Sequence, residues 1–182
     1  MERTLYLKLF VKSNRNEIKF FLLFTLFFVL AQGLHYLIYP STDALLVHEL
    51  NAKASSIIIN MITPGENSVV EGNLIRSGNF RVQVIEGCTG TEGILLLVAA
   101  IWAFNMSVRK KILGSLIGCF IVYLSNLIRI VALYYCVKYR PDLFEMVHIY
   151  IGQILLIFIA LLFFIVWTGK FAGTNEKLSK TA

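Results

Sequence analysis

The sequence lacks three features that would indicate other classes of protein. Its 17 basic residues outnumber the 11 acidic ones, but they do not gather on one amphipathic face, so nucleic-acid binding is not expected. The cysteines Cys88, Cys119 and Cys136 have no metal-ligand spacing, and their odd number leaves at least one unpaired. No small-residue cleavage site follows the first apolar segment, which indicates a retained helix and not a cleaved signal peptide.

Hydrophobic residues dominate what the sequence does contain. They make up 57% of the 182 residues, and so apolar a composition places the chain among membrane proteins. The basic residues flank the apolar runs, as expected for the charge bias that sets membrane orientation. Cys119 and Cys136 lie inside an apolar run, where an unpaired cysteine usually acts as a small buried hydrophobic residue. We therefore expect both to be structural.

The apolar runs predict an all-α polytopic membrane protein with four transmembrane helices. Each run is about as long as the ~20 residues that a bilayer core demands, and Pro40 is expected to end the first. The predicted transmembrane helices cover residues 18–39, 88–106, 112–137 and 146–168. Basic residues in the flank 1–17, in Arg109-Lys110-Lys111 and in the tail 169–182 place these segments in the cytoplasm. The prediction is a single membrane domain, 18–168, with both termini inside.

Residues 40–86 are then expected on the extracytoplasmic side. Asp43–Ile62 has helical spacing but is too polar to span, which predicts a small surface or interfacial helix. Two runs of alternating polarity, 68–75 and 80–85, predict a β-hairpin because turn-forming residues separate them. The second strand of this hairpin would lead the chain directly to Cys88.

Cys88 lies where this polar segment meets the second apolar run. Small residues flank it on both sides. A thiol at this boundary is open to a peptide from outside and also to side chains of neighbouring membrane helices. The position makes Cys88 the candidate nucleophile of the chain.

Arg129 is the exceptional residue of the third predicted helix. A charge at hydrocarbon depth is costly, and such a residue is usually buried in protein and functional. Asn126 lies one helical turn away on the same face and can hydrogen-bond the guanidinium. The alternative is a structural ion pair between Arg129 and Glu92, the acidic residue embedded in the second predicted helix. The functional interpretation is favoured over the ion pair.

His148 opens the fourth predicted helix. An unperturbed imidazole titrates in the physiological pH range, which suits a general base for a thiol. Cys88, Arg129 and His148 come from three different helices, yet all three fall toward one face of the membrane. Residues that are distant in the sequence thus meet at one depth, as a nucleophile, an oxyanion stabiliser and a base must.

These residues also stand in motifs that resemble a known family. Gly87-Cys88-Thr89-Gly90 opens one spanning helix, Asn126-Leu127-Ile128-Arg129 lies in the next, and His148 opens the last. This ordered set, over roughly residues 68–167, resembles the exosortase/archaeosortase family. Many members have more helices before the motifs, so the chain is similar to a compact type such as the short exosortase H group. Thr89 stands where serine is common in the family.

The resemblance implies a membrane-embedded cysteine peptidase or transpeptidase in the cell (inner) membrane. In the family, the Cys, Arg and His of these motifs form the proposed catalytic triad, which here are Cys88, Arg129 and His148. Such enzymes cleave C-terminal sorting signals of exported proteins at the outer face of the membrane. The signal consists of a short recognition motif, a spanning helix and a basic cluster. No cofactor, metal or nucleic acid is expected.

The residues support the same chemistry. Cys88 would attack a peptide carbonyl and form a thioester, and His148 would take the thiol proton and return it to the leaving amine. Arg129 would stabilise the developing oxyanion. Asn126 would hold Arg129 in place. Glu92 matches no role in the family.

Two other classes stay open. A transporter subunit could line an ion path with Arg129 and Glu92, although a conduction path usually needs more than one or two ionisable groups. A membrane chaperone or scaffold could bind partners through the hairpin, and Cys88 would then be incidental. Loss of activity on Cys88→Ala would exclude both classes.

Overall fold

The computed structural model describes residues 14–179 and is mostly helical. Within these residues, two π-helical segments, Ala44–Lys53 and Met146–Ile151, interrupt longer α-helical stretches. The α-helices are α1 (Arg15–Asp43), α2 (Ala54–Ile62), α3 (Thr91–Ala103), α4 (Val108–Tyr139) and α5 (Gly152–Ser179). The predicted cytoplasmic flank 1–17 and tail 169–182 lie partly outside the described residues.

Three helical stretches of the described chain are long and apolar enough to cross a membrane. They are Arg15–Ile62, Val108–Tyr139 and Met146–Phe171. The first, third and fourth predicted transmembrane helices fall within them. The second corresponds to α3, whose 13 residues extend only about 20 Å at ~1.5 Å per residue, against a hydrocarbon core of ~30 Å. Four crossings and the orientation of the chain therefore stay predictions.

The first helix does not end at Pro40, and that prediction was wrong. Helix α1 passes through Pro40 and ends at Asp43, where a π-helical segment continues it into α2. Proline removes one backbone N–H from a helix but its φ angle is helical. The hydroxyl of Tyr39 donates to Asp43 Oδ1 at 2.6 Å across the turn that contains Pro40. The expected surface helix at 43–62 is thus present but continuous with the first span.

The predicted hairpin is part of a three-stranded antiparallel sheet. Strands β1 (Val69–Glu71), β2 (Leu74–Ser77) and β3 (Phe80–Gln83) lie in the order β1-β2-β3. The run 68–75, expected to be one strand, folds back at Gly72 and Asn73 into two. Gly72 has a φ of +62°, a left-handed conformation that glycine adopts without strain.

The sheet packs against one end of α4, and this end of the molecule is called the sheet end. A core of buried residues there joins the sheet, α2 and α4, and it includes Ile59, Ile75, Val84, Cys88 and Ile130. A second core lies deeper among α3, α4 and α5 and contains Leu97, Ile101, Val122, Leu156 and Ala160.

Glu66 ties the loop before the sheet to α4. It accepts a hydrogen bond from the hydroxyl of Tyr134 and pairs with Lys138 Nζ at 2.5 Å. These contacts hold the pKa of the Glu66 carboxyl below its ordinary value, the Lys138 hydrogen bond contributing most. The sheet, and with it the segment that leads to Cys88, is therefore fixed relative to α4.

Candidate functional site

Cys88 lies in a sharp turn between β3 and α3. It ends a short 3₁₀ turn, Glu86–Cys88, in which its backbone N–H donates to Ile85 O at 2.8 Å. Gly90 follows with a φ of +74°, and a β-carbon at this position would stand 2.9 Å from Cβ of Asn126. Both the left-handed backbone and the close approach to α4 require glycine there. The turn thus sets Cys88 against α4.

The structure brings Cys88 and His148 together. The Sγ atom of Cys88 lies 3.9 Å from Nε2 of His148, within reach of a long hydrogen bond to sulfur. His148 belongs to the π-helical segment Met146–Ile151, and its ring stacks on that of Phe144 with centroids 5.4 Å apart. The other ring nitrogen, Nδ1, has no hydrogen-bond partner among the described residues. The nitrogen nearest the thiol is therefore the one that could exchange its proton.

Arg129 lies directly behind His148. It is only 7% exposed, and its Nη2 donates to the backbone oxygen of His148 at 3.3 Å. A second bond runs from Nη1 to Asn126 Oδ1 at 3.4 Å, as their i, i+3 spacing predicts. Gly152 leaves room for the guanidinium, because a β-carbon there would stand 2.5 Å from Nε of Arg129.

Asn126 connects Arg129 to the backbone of Cys88. Its Nδ2 donates to the carbonyl oxygen of Cys88 at 2.8 Å and to Asn51 Oδ1 at 2.9 Å. The side chain is completely buried. The sequence analysis predicted only that Asn126 holds Arg129. Its contact with the Cys88 carbonyl is an additional one.

Asn51 is a site residue that the sequence analysis missed. It is 2% exposed, and its own Nδ2 donates to the carbonyl of Leu46, five residues earlier in the first π-helical segment, at 2.6 Å. The only sequence signal was an amide residue within a segment of helical spacing. That signal does not identify a partner 75 residues away.

Glu92 does not form the alternative ion pair with Arg129. The ion pairs among the described residues join Lys53 to Glu49, Arg76 to Glu71, Lys138 to Glu66 and Arg140 to Asp142. Glu92 is exposed and shares with Arg129, Gln32 and Gln153 a cavity of about 260 Å³. A structural Arg129–Glu92 pair therefore does not account for the buried arginine.

The thiol is enclosed in this conformation. Cys88 is 5% exposed, although its position in the sequence indicated ready access for a peptide. The cavity beside it measures about 20 Å³ and is lined by residues that include Val82, Phe144 and His148. Such a volume holds about one water molecule and excludes a peptide. Phe144 packs over His148, so a substrate could reach the thiol only after these neighbours move.

The remaining cysteines lie apart from the site. Cys119 and Cys136 are partly buried, and both are unpaired, as Cys88 is. Cys136 Sγ lies 3.4 Å from the carbonyl oxygen of Arg140. Among the described residues, no three His, Cys, Asp or Glu side chains form a group that could hold a metal ion. The polar cluster of Asn51, Cys88, Asn126, Arg129 and His148 is called the candidate site below.

These features define a class. The chain is a helical membrane protein with a cysteine–histidine pair enclosed at one end of its bundle and an arginine buried behind that pair. The family model for transmembrane exosortase (Exosortase_EpsH) matches residues 9–165, and the chain belongs to this family. No curated protein and no solved structure matches the chain. The match confirms the family resemblance that the motifs indicated.

Proposed function

We propose that the protein is a membrane-embedded cysteine transpeptidase that cleaves C-terminal sorting signals of exported proteins. The observation that carries the proposal is the 3.9 Å separation of Cys88 Sγ and His148 Nε2. A thiol and an imidazole at this separation can exchange a proton with a small movement of either side chain. Membership of the exosortase family supports the same class of reaction.

In the proposed reaction His148 takes the proton of the Cys88 thiol as sulfur attacks the carbonyl carbon of the scissile peptide bond. The carbon–nitrogen bond then breaks, and the proton passes from His148 to the leaving amine. A thioester between Cys88 and the exported protein remains. An acceptor nucleophile then attacks the thioester and loses its proton to His148, which releases the protein and restores the thiol.

Arg129 has two roles in this proposal. Its positive charge beside the Cys88–His148 pair favours the thiolate and the oxyanion that forms during attack. Its Nε is buried beside Gly152 with no hydrogen-bond partner among the described residues, and it would bind an oxygen of the substrate only after the site opens. Asn126 is a positioning residue, because it contacts Arg129 on one side and the Cys88 backbone on the other.

The proposed orientation puts the sheet end outside the membrane and both termini in the cytoplasm. The basic residues Arg109-Lys110-Lys111 lie at the opposite end of α4, in agreement with the positive-inside bias. An exported protein would then arrive at the sheet end, with its C-terminal helix in the bilayer and its basic cluster in the cytoplasm.

The test uses an exported protein of the same organism whose C-terminus carries a motif, a spanning helix and a basic cluster. The protein is tagged at its N-terminus and produced with the enzyme, and loss of its tail is followed by mass spectrometry. Wild-type enzyme and the control Cys136→Ala should remove the tail, whereas Cys88→Ala should leave it in place. Removal of the tail by Cys88→Ala would exclude this function.

A further inference from the structure

Strand β3 is an edge strand with one side open. It pairs with β2 alone in the order β1-β2-β3, with Ile75 opposite Val82 and Leu74 opposite Gln83. Just beyond the strand, the N–H of Val84 donates to the carbonyl of Asn73 at 2.8 Å, so Val84 belongs to a hydrogen-bonded pair. Backbone groups in an antiparallel ladder alternate in direction. Val82 therefore faces β2, whereas Arg81 and Gln83 turn their N–H and C=O groups to the open side.

The backbone groups on this open side have no partner within the described chain. Outside the β2–β3 ladder, no hydrogen bond in residues 14–179 involves the main chain of Arg81 or Gln83, and both side chains are exposed. A row of unpaired N–H and C=O groups is a template for another strand. The inner face of the sheet is occupied, since the side chains of Val82 and Val84 are buried in the core that contains Ile130 and Tyr134. The open part of β3 is therefore its edge.

The open edge leads to the thiol. Gln83 and Val84 line the same small cavity as Cys88 and His148, so the end of β3 forms one wall of the candidate site. A strand laid along this edge would run directly past the nucleophile. An extended peptide is the occupant that this geometry fits, because its main chain supplies alternating donors and acceptors as partners for the N–H and C=O groups of Arg81 and Gln83.

We propose that the substrate's recognition segment binds as an added fourth strand along the open edge of β3. The inference rests on the proposed function, and it assigns the binding mode of the same site. Main-chain hydrogen bonds with Arg81 and Gln83 hold the segment extended and place the scissile carbonyl beside Cys88 once the side chains that enclose the thiol have moved. Recognition is thus made largely through the backbone of the substrate, and a proline at a paired position is excluded because it lacks the N–H.

The enzyme-side test compares three variants in detergent-solubilised full-length enzyme with the tagged substrate. Gln83→Pro removes the N–H on the open edge, a position where an edge strand tolerates proline. Gln83→Ala keeps that N–H and removes only the side chain. Val70→Pro is the matched control, because Val70 lies opposite Ile75 and turns its backbone to the far edge of the same sheet. Alkylation of Cys88 by iodoacetamide shows whether the site stays intact.

Gln83→Pro should raise the KM for the tagged substrate by roughly three- to tenfold, the effect of losing one main-chain hydrogen bond. Its rate of alkylation at Cys88 should match that of wild-type enzyme. Gln83→Ala should raise KM less than Gln83→Pro does, because it keeps the main-chain N–H, and Val70→Pro should keep its KM near the wild-type value. A wild-type KM in Gln83→Pro would overturn the proposal, and so would an equal loss in Gln83→Ala.

A substrate-side test does not depend on how the variants fold. Peptides of the recognition segment, each N-methylated at one position, compete with the tagged substrate for wild-type enzyme. Methylation should weaken competition at every second residue, because alternate N–H groups face the strand. Weaker competition without this alternation would refute strand addition. It would leave the proposed function intact, because that function is tested separately with Cys88→Ala. Processing by Cys88→Ala would instead remove the proposed function itself.

Discussion

The side-chain nitrogen Nδ2 of Asn126 donates to the backbone carbonyl oxygen of Cys88 at 2.8 Å. The residue that was expected to support Arg129 therefore also holds the main chain of Cys88, the candidate nucleophile. The same nitrogen lies 2.9 Å from Asn51 Oδ1, which links the segment before α2 to the turn before α3. One buried amide thus fixes three parts of the candidate site relative to one another.

Replacement of Asn51 should impair processing even though Asn51 does not touch Cys88. In Asn51→Ala the Asn126 amide loses a partner, at a cost of about 1–3 kcal/mol for a buried polar group left unsatisfied. The expected result is a fall in kcat of several-fold with a smaller change in KM, because the position of the Cys88 backbone is altered. Initial rates with the tagged substrate measure both quantities.

Ser55→Ala is the matched control for Asn51→Ala. Ser55 is also completely buried in the adjoining helix, but its hydroxyl has no partner among the described residues. Its loss should leave kcat unchanged. A wild-type kcat in Asn51→Ala, or an equal fall in Ser55→Ala, would contradict a positioning role for Asn51.

Arg129→Lys should give a folded protein that processes the substrate about 10²-fold more slowly, the usual cost of one oxyanion donor. Lysine keeps the charge, but it lacks the planar fork that reaches both the His148 carbonyl and Asn126 Oδ1. Single-turnover cleavage and thermal unfolding in detergent separate the loss of rate from loss of fold. Nearly full activity in Arg129→Lys would mean that only the charge matters.

His148→Ala should lower cleavage by roughly 10²–10⁴-fold, the range for a positioned acid–base group. The residual rate should rise with pH, since a thiol without its base reacts through the fraction that is already ionised. Cys88→Ala should show no recovery at any pH. Processing of the tagged substrate across a pH series makes the comparison. Equal, pH-independent losses in the two variants would leave His148 without a role in proton transfer.

Stability should decline in acid because of Glu66. Its folded-state pKa lies below the ordinary value of 4.5, since Lys138 and Tyr134 donate to the carboxylate. The unfolded chain then binds more protons than the folded one in acid, so this stabilisation is complete above the unfolded pKa. It is lost as the pH falls through the folded pKa. Thermal unfolding in detergent between pH 7 and about pH 3 should show a fall in Tm.

In Glu66→Gln that fall should be smaller, because the titrating group is gone. Glu71→Gln serves as the control, since Glu71 pairs with Arg76 on the exposed surface, where an ion pair contributes little. An identical acid profile in wild-type protein and Glu66→Gln would show that Glu66 does not account for the decline.

Part of this fold could be predicted because it depends on local patterns. Apolar runs marked α1, α4 and α5, and the alternation between Phe80 and Gln83 marked a strand. The two-residue turn at Gly72 and Asn73 was also present as a sequence signal, and it would have divided the run 68–75. The prediction for Pro40 was wrong because the helix continues through the proline, and Tyr39 donates a hydrogen bond to Asp43 across that turn.

The geometry of the candidate site depends on contacts between distant parts of the chain. The order of Cys88, Arg129 and His148 indicated that they share one end of the bundle. It did not indicate which atoms meet, because the 3.9 Å approach of Sγ and Nε2 depends on how the turn before α3 packs against the π-helical segment before α5. The enclosure of the thiol by Phe144 was likewise not predictable, since nothing local to Cys88 specifies it.

The two π-helical segments make the candidate site sensitive to the number of residues in the chain. Asn51 lies in one and His148 in the other, and a π-helical hydrogen bond spans one residue more than an α-helical one. Deletion of Val147 would shift His148 by one position and turn it by about 100° around the helix axis relative to the residues before it. The approach of the imidazole to the thiol would then change, although no residue of the site had been replaced. We therefore expect insertions and deletions here to disrupt the candidate site as substitutions of its residues would.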